Sequence, residues 1–234
     1  DQLADDRVDD PGQFDANASD YSAIADVTNQ VRLGGNGTYR VANVYSTPNQ
    51  TNKHGGWALV VVYNLNSLPL RNLVVFDGYA HVNNGTNVTI NVNGFLTPPA
   101  GLVNSRLGVV AFEGDLGLVG DRYLLNGTVV DDARNPTNNF FNSSISLLGA
   151  SFAAKNPNYL NQLGFDADIV STAGILPNGA NSAVIQMTST GDEYYPAAVT
   201  FATDLYAPVF SSAGFTKSVT DLNGAPVRPG DVLE

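Results

Sequence analysis

The chain has 234 residues and a formal net charge of −11, and only 14% of its residues are charged. Phosphate contacts need lysine and arginine, and the chain has 11 of both together, so we expect neither a nucleic-acid partner nor an anionic membrane surface. The absence of cysteine excludes disulfides and thiolate metal sites, and no apolar run approaches the roughly 20 residues that would insert into a membrane.

The N-terminal stretch is acidic and short of large apolar residues, with four aspartates between positions 5 and 10. Such a stretch can bury little surface, which predicts an acidic arm over residues 1–20. Two strands are predicted next, at Ala23–Thr28 and Thr38–Tyr45. A glycine-rich turn at Gly34–Gly37 separates them.

The centre of the predicted fold lies in two apolar runs, Trp57–Tyr63 and Leu73–Phe76. Both are rich in β-branched and aromatic residues, and a polar loop with one proline joins them. This pattern predicts two adjacent antiparallel strands. Because the runs are nearly continuous rather than alternating, we expect both faces of each strand to be covered.

Short strand patterns separated by glycine, proline and asparagine continue along the rest of the chain. They predict strands at Val88–Asn93, Leu107–Phe112, Tyr123–Val129, Ala167–Ser171, Ala183–Thr188 and Ala198–Tyr206. One short helix is predicted at Pro157–Leu163, since Asn156 suits its N-cap and Gly164 its C-terminal end. The sequence therefore predicts an all-β domain over residues 21–213, an antiparallel β-sandwich or jelly roll.

A cation site is predicted in the loop from Glu113 to Asp121, where three glycines and three carboxylates fall within nine residues. Glycine lets the backbone bend sharply, and calcium takes six to eight oxygen ligands from carboxylates and carbonyls. Glu113, Asp115 and Asp121 are the predicted ligands. A glycine-rich hairpin with solvated acids is the alternative for the same loop.

Residues for catalysis are few. His54 and His81 are the two histidines, and neither stands in a nucleophile-elbow pattern. Asp166 and Asp168 are two residues apart and so share one face of a strand, which is compatible with glycosidase chemistry. We favour the alternative that they are solvated or hydrogen-bonded carboxylates, because no aromatic cluster surrounds them in the sequence, and the prediction is a protein that is not an enzyme.

The C-terminal residues carry a recognisable motif. Lys217–Gly224 has the pattern K-x-V-x-D-x-N-G, and Pro229–Leu233 follows as P-G-D-x-L. This tail resembles the first strand and turn of the conserved-repeat and collagen-adhesin B-type immunoglobulin-like modules of bacterial surface proteins. The resemblance implies that residues 214–234 are a linker and the first strand of a following module. Lys217 matches the lysine that forms an isopeptide bond in the adhesin modules, with a partner strand beyond Glu234.

The body of the chain resembles the domain that precedes such modules in large secreted bacterial proteins. Gly56–Tyr63, Pro69–Gly78 and Val199–Tyr206 carry this resemblance. It implies an extracellular, non-catalytic structural or adhesive module on a cell surface, whose partners are a surface or matrix component, a glycan, a neighbouring module or a second copy. The alternatives are a carbohydrate- or calcium-binding lectin-like domain and a fibre subunit that assembles by strand addition.

Overall fold

The computed structural model describes residues 6–9, 21–42, 44, 53–207, 220–224, 228–229 and 232. The described strands are β1 (Asp6–Asp9), β2 (Tyr21–Ile24), β3 (Arg71–Asp77), β4 (Val88–Asn93), β5 (Ser105–Phe112), β6 (Arg122–Leu125), β7 (Thr128–Val130), β8 (Ile145–Leu147), β9 (Ala150–Ser151), β10 (Phe165–Ser171), β11 (Ser182–Thr188) and β12 (Tyr195–Asp204). A helix, α1, spans Thr28–Gly34.

Two sheets pack face to face and form an all-β sandwich, which confirms the predicted fold class. One sheet has the order β3-β12-β5-β10-β8-β9, and the other has the order β4-β11-β6-β7. The strands β1 and β2 form a separate antiparallel pair. Pairing is antiparallel except between β8 and β10, which run parallel, with Ala167 opposite Ile145. The sandwich is therefore not purely antiparallel.

Alternation of apolar and polar residues builds the core between the two sheets. In β11, Ile185 and Met187 are buried and their neighbours are less so. In β12, Val199 and Phe201 point to the same interior from the opposite sheet. A strand with period-two hydrophobicity buries one face, and these faces meet in one cluster of buried side chains.

The apolar run Trp57–Tyr63 is not a core strand, and the prediction for it was wrong. It has no regular strand structure, and Trp57 is 48% exposed while Tyr63 is 63% exposed. The physical reason lies in the pairing of its expected neighbour. The strand β3 pairs with β12, with Phe76 opposite Val199, and not with the run before it.

The second apolar run does form a strand, β3, but not one that is covered on both faces. It stands at the end of the six-stranded sheet. Val74 and Phe76 pack against the core, whereas Leu73 is 45% and Val75 37% exposed. Half-burial is the normal condition of a strand at the edge of a sandwich.

The helix of the structure is not the one that was predicted. Pro157–Leu163 has no helical structure, and Leu163 is 77% exposed, so end signals without an apolar face did not suffice. The helix lies instead at Thr28–Gly34, between the strand predicted at Ala23–Thr28 and the turn predicted at Gly34–Gly37. Asp26 accepts a hydrogen bond from the Thr28 amide at its start, and Gly35, at φ 55°, follows its end. Residues 38–42 and 44 are not in a strand either.

The predicted arm and tail fall mostly outside the described residues. Within residues 1–20, Asp6–Asp9 pairs with Tyr21–Ile24. Within residues 214–234, the Leu222 amide donates to the Val232 carbonyl and the Val232 amide to Asn223 Oδ1. Lys217 lies outside. Of the part of the chain that is described, no helix combines the length and hydropathy that crossing a bilayer requires.

Candidate functional site

Buried carboxylates gather at one end of the sandwich, under the loop that follows β5. They come from that loop, from β10 and from the turn between β11 and β12. Four aspartates are almost sealed from solvent: Asp121 and Asp166 are 0% exposed, Asp192 is 1% and Asp168 is 2%. Burying a carboxylate without a compensating charge is expensive, so each of these groups needs a physical explanation.

Asp121 and Asp166 are held by the backbone of one segment, Phe140–Ser144. The Phe141 amide donates to Asp121 Oδ1 at 2.8 Å, and the Ser144 amide donates to Asp166 Oδ1 at 2.9 Å. The side chains of Phe140 and Phe141 are fully buried and anchor the segment in the core. The asparagine-rich connection thus places N–H groups beside the two carboxylates.

Gly114, in the loop after β5, packs against the Phe140–Ser144 segment and Asp166. A Cβ at this position would collide with the Phe141 carbonyl oxygen and would stand 2.7 Å from Asp166 Oδ2. The Phe141 carbonyl oxygen and Asp166 Oδ2 therefore both lie against the Gly114 backbone. The Ser143 hydroxyl donates to the Gly114 carbonyl and fixes the loop there.

Replacing Gly114 by alanine should destabilise the protein by about 1–3 kcal/mol or more, because the added methyl group must displace backbone. Gly117→Ala is the matched control in the same loop, since nothing lies within 4 Å of a Cβ there, and we expect a change within about 0.5 kcal/mol. Urea denaturation measures both. Equal effects of the two substitutions would contradict the close approach at Gly114.

Asp168 has its own polar partners. The Ser146 hydroxyl donates to Asp168 Oδ1 at 2.6 Å, and Asn135 Nδ2 donates to that hydroxyl oxygen at 3.0 Å. Asp166 and Asp168 point to the same inner face of β10, as the two-residue spacing predicts. They are hydrogen-bonded interior groups.

Asp192 is satisfied by backbone. The Glu193 amide donates to Asp192 Oδ1 at 2.8 Å, and the Asp115 amide donates to Asp192 Oδ2 at 3.3 Å. This second bond ties the turn before β12 to the loop after β5. Both oxygens of Asp192 therefore have donors.

Burial raises the pKa of all these groups. Burial and then the Asp168 charge lift the pKa of Asp166 well above its usual range. Burial raises the pKa of Asp168 to about 7 and that of Asp192 to about 6. The pKa of Glu113 rises to about 8, through burial and then the charge of Asp192, and burial raises the pKa of Asp121.

Several oxygens in this region have no hydrogen-bond donor. They are Glu113 Oε2, Asp121 Oδ2, Asp132 Oδ2, Asn139 Oδ1, Asn142 Oδ1, Asp166 Oδ2 and Asp168 Oδ2. In the described ranges, side-chain ion pairs join Arg71 to Asp204 and His81 to Glu193, and neither pair includes one of the four buried aspartates. The region is thus rich in acceptors. Arg134 brings a positive charge to its Asp132 side, where the Arg134 amide donates to Asp132 Oδ1 and Arg134 Nε is buried without a partner.

The three predicted calcium ligands do not form one group. Asp121 is fully buried, Glu113 is partly buried and Asp115 is exposed. Among the described residues, no three carboxylate or imidazole side chains converge as metal ligands. Since backbone and amide oxygens also bind calcium, calcium binding by this protein stays a prediction.

The two histidines take part in aromatic packing at the start of β12, around Tyr195. The His81 ring stacks on Tyr195 at 4.7 Å between centroids, and its Nε2 lies 3.0 Å from Glu193. His54 stacks on Phe112 at 5.9 Å. Aromatic contacts therefore hold both rings, and His81 also pairs with Glu193.

A groove of about 250 Å³ opens between the two sheets beside β3 and β4. Its lining is mostly apolar and consists of Phe76–Ala80, Val88, Ile90, Met187 and Pro196–Val199. Ligand sites combine apolar walls with a few converging polar groups. Asp77 is the charged residue of this lining, so the groove offers little for recognition of a sugar.

The sequence pattern missed the contribution of the Phe140–Ser144 segment to this site. The sequence did indicate the buried acids, because Asp166 and Asp168 alternate in step with the apolar Val170 along β10. Three residues in one alternation share a face, so a buried Val170 implies two buried acids. The segment itself carries no such period.

No family model matches the chain, and no curated protein matches it. Among solved structures, the chain is similar to the crystal structure of BuGH86wt in complex with neoagarooctaose, at 17% identity and a TM-score of 0.34. The similarity covers 57% of this chain and 18% of that chain. At this level it assigns neither a family nor a reaction.

Proposed function

We propose that this chain is an extracellular structural or adhesive module of a bacterial cell-surface protein and catalyses no reaction. The observation that carries the proposal is a run of exposed apolar side chains over residues 57–70, which we term the apolar strip. Its most exposed large members are Tyr63 at 63% and Leu70 at 68%. Exposed apolar surface of this kind is typical of interaction sites.

The position of the strip supports a role in contact with a neighbour. It directly precedes β3, the end strand of the six-stranded sheet, and the exposed Leu73 and Val75 extend the apolar surface onto that strand. End strands can pair with a strand of another chain. A neighbouring module, a second copy or a matrix protein would meet both features together.

Burial of the acid pair argues against the glycosidase alternative. A glycosidase needs two carboxyl groups that flank the scissile bond of the bound sugar. Asp166 and Asp168 are 0% and 2% exposed, and the Ser144 amide and the Ser146 hydroxyl occupy one oxygen of each. A polysaccharide cannot reach these groups in the folded protein.

The proposal predicts that Val62→Lys weakens binding to immobilised matrix proteins or self-association in sedimentation. Val62 is 57% exposed, and Leu118, at 53%, gives the control Leu118→Lys outside the strip. Because both side chains are exposed, neither change should alter the free energy of unfolding by more than about 0.5 kcal/mol. A lysine in the strip places a charge in the contact, whereas Leu118→Lys leaves binding unchanged.

Two results would contradict the proposed function. One is hydrolysis of a polysaccharide that Asp166→Asn abolishes while the variant remains folded. The other is selective binding on a glycan array that Val62→Lys leaves intact, which would favour the lectin-like alternative. Surface proteolysis of cells that carry the native protein tests its location.

A further inference from the structure

We propose that Asp121 and Asp166, together with the backbone of the Phe140–Ser144 segment, form a calcium site inside the sandwich. This site differs from the exposed loop predicted from the sequence, and it is independent of the proposed adhesive function. The inference starts from two oxygens, Asp121 Oδ2 and Asp166 Oδ2. Each belongs to a fully buried side chain and has no hydrogen-bond donor.

Both carboxylates lie against one peptide segment, Phe140–Ser144. Asp121 Oδ1 accepts the Phe141 amide, and Asp166 Oδ2 lies with the Phe141 carbonyl oxygen against Gly114. Burial and then the Asp168 charge raise the pKa of Asp166 most, and the Asp121 charge adds to them. In the proposed site, one ion lies between Asp121 Oδ2, Asp166 Oδ2 and the Phe141 carbonyl oxygen.

The chemistry of the ligand atoms selects the ion. All the proposed ligand atoms are oxygens, which favours a hard cation over zinc or copper. Two carboxylates carry two negative charges, and the ion pairs of the described residues leave them without a partner. A divalent cation balances that charge. A lysine or arginine side chain would balance only half of it.

Calcium fits better than magnesium. Magnesium keeps several waters and demands near-octahedral geometry, whereas calcium accepts an irregular shell of six to eight oxygens. Both aspartates are fully buried, so their site offers protein oxygens in place of the waters that magnesium keeps. Asn142 Oδ1, buried and without a donor in the same segment, is a further oxygen of the kind calcium uses.

The test compares the whole chain in chelator with the chain in about 5 mM calcium, above the usual Kd range of extracellular calcium modules. Calcium should raise Tm by roughly 4–8 °C, because an ion that binds the folded state alone stabilises it by mass action. Isothermal titration calorimetry should show one calcium ion per chain. Terbium, a luminescent substitute for calcium, should be excited through Tyr194, whose ring stacks on Phe141 at 3.9 Å.

Three variants locate the site. Asp166→Asn keeps the shape of the side chain and removes its charge, so the calcium-dependent Tm shift should disappear and the calcium Kd should rise at least about ten-fold. Asp131→Asn changes an exposed acid and should keep the full shift. Asp115→Asn should also keep it, because Asp115 belongs only to the loop site predicted from the sequence.

The outcomes separate the alternatives. If wild type shows neither a Tm shift nor a binding heat, protons hold the two acids and the calcium site is overturned. Loss of the shift in Asp115→Asn with retention in Asp166→Asn overturns it in favour of the exposed loop. Should Asp166→Asn fail to fold, Asp121→Asn and the wild-type titration decide the question.

Discussion

Replacing Phe201 by alanine should lower the free energy of unfolding by about 3–5 kcal/mol. Phe201 is fully buried in β12, which lies between β3 and β5, and its ring packs on Phe95 at 5.6 Å between centroids. Truncation removes buried apolar surface and leaves a cavity in a close-packed interior. Domains are stable by only about 5–15 kcal/mol, so a large part of the total stability should disappear.

Phe152→Ala is the matched control for this experiment. It removes the same side chain from a residue that is 44% exposed, and we expect a change below about 1 kcal/mol. Urea denaturation at one pH gives both values, provided that the slope with denaturant is the same in both variants. A loss in Phe152→Ala as large as that in Phe201→Ala would show that the sandwich interior is not the stabilising core.

In chelator, the free energy of unfolding should fall as the pH rises from about 4 to about 8, the reverse of ordinary acid denaturation. Burial raises the pKa of Asp168 to about 7, while an unfolded aspartate has a pKa of about 3.9. Between these values the folded state binds more protons than the unfolded state. Stability is therefore complete below the unfolded pKa and is lost as the pH rises through the folded pKa.

The size of this effect follows from the shift. One pKa unit corresponds to about 1.4 kcal/mol, so Asp168, which is 2% exposed, contributes on the order of 4 kcal/mol. The pKa values of Asp192, about 6, and Glu113, about 8, act in the same direction. Urea denaturation in chelator across this range measures the slope. Asp168→Asn should flatten it, and stability that increases with pH would contradict the prediction.

Strands with clear alternation were predicted well from the sequence. Val88–Asn93 is β4 with the predicted bounds, and Ala183–Thr188 is β11 without its first residue. Alternation identifies which face is buried, and burial of that face is what forms the strand. Trp57–Tyr63 has no alternation, so its hydrophobicity did not reveal whether a partner strand covers it.

The candidate site was predicted only in part, because its members come together through tertiary structure. Asp121 lies in the loop that the sequence singled out, and Asp166 was noted as one of an acid pair. Their proximity depends on Phe140 and Phe141. The buried rings of these residues anchor the Phe140–Ser144 segment, whose amides donate to both carboxylates. Sequence spacing contains no information about such an approach, since the three parts are separated along the chain and meet only after both sheets form.

The position of β12 in the middle of the six-stranded sheet has a consequence for how the molecule assembles. This strand pairs with β3 on one side, where Arg71 is opposite Asp204, and with β5 on the other. A chain that is made from its N-terminus has β3 and β5 long before the strand that joins them. Closing such a long loop precedes any gain from pairing, and proteins dominated by distant contacts fold slowly, in about milliseconds to seconds. Because β12 is the strand that β3 pairs with in this sheet, β3 cannot join the sheet before β12 has been made.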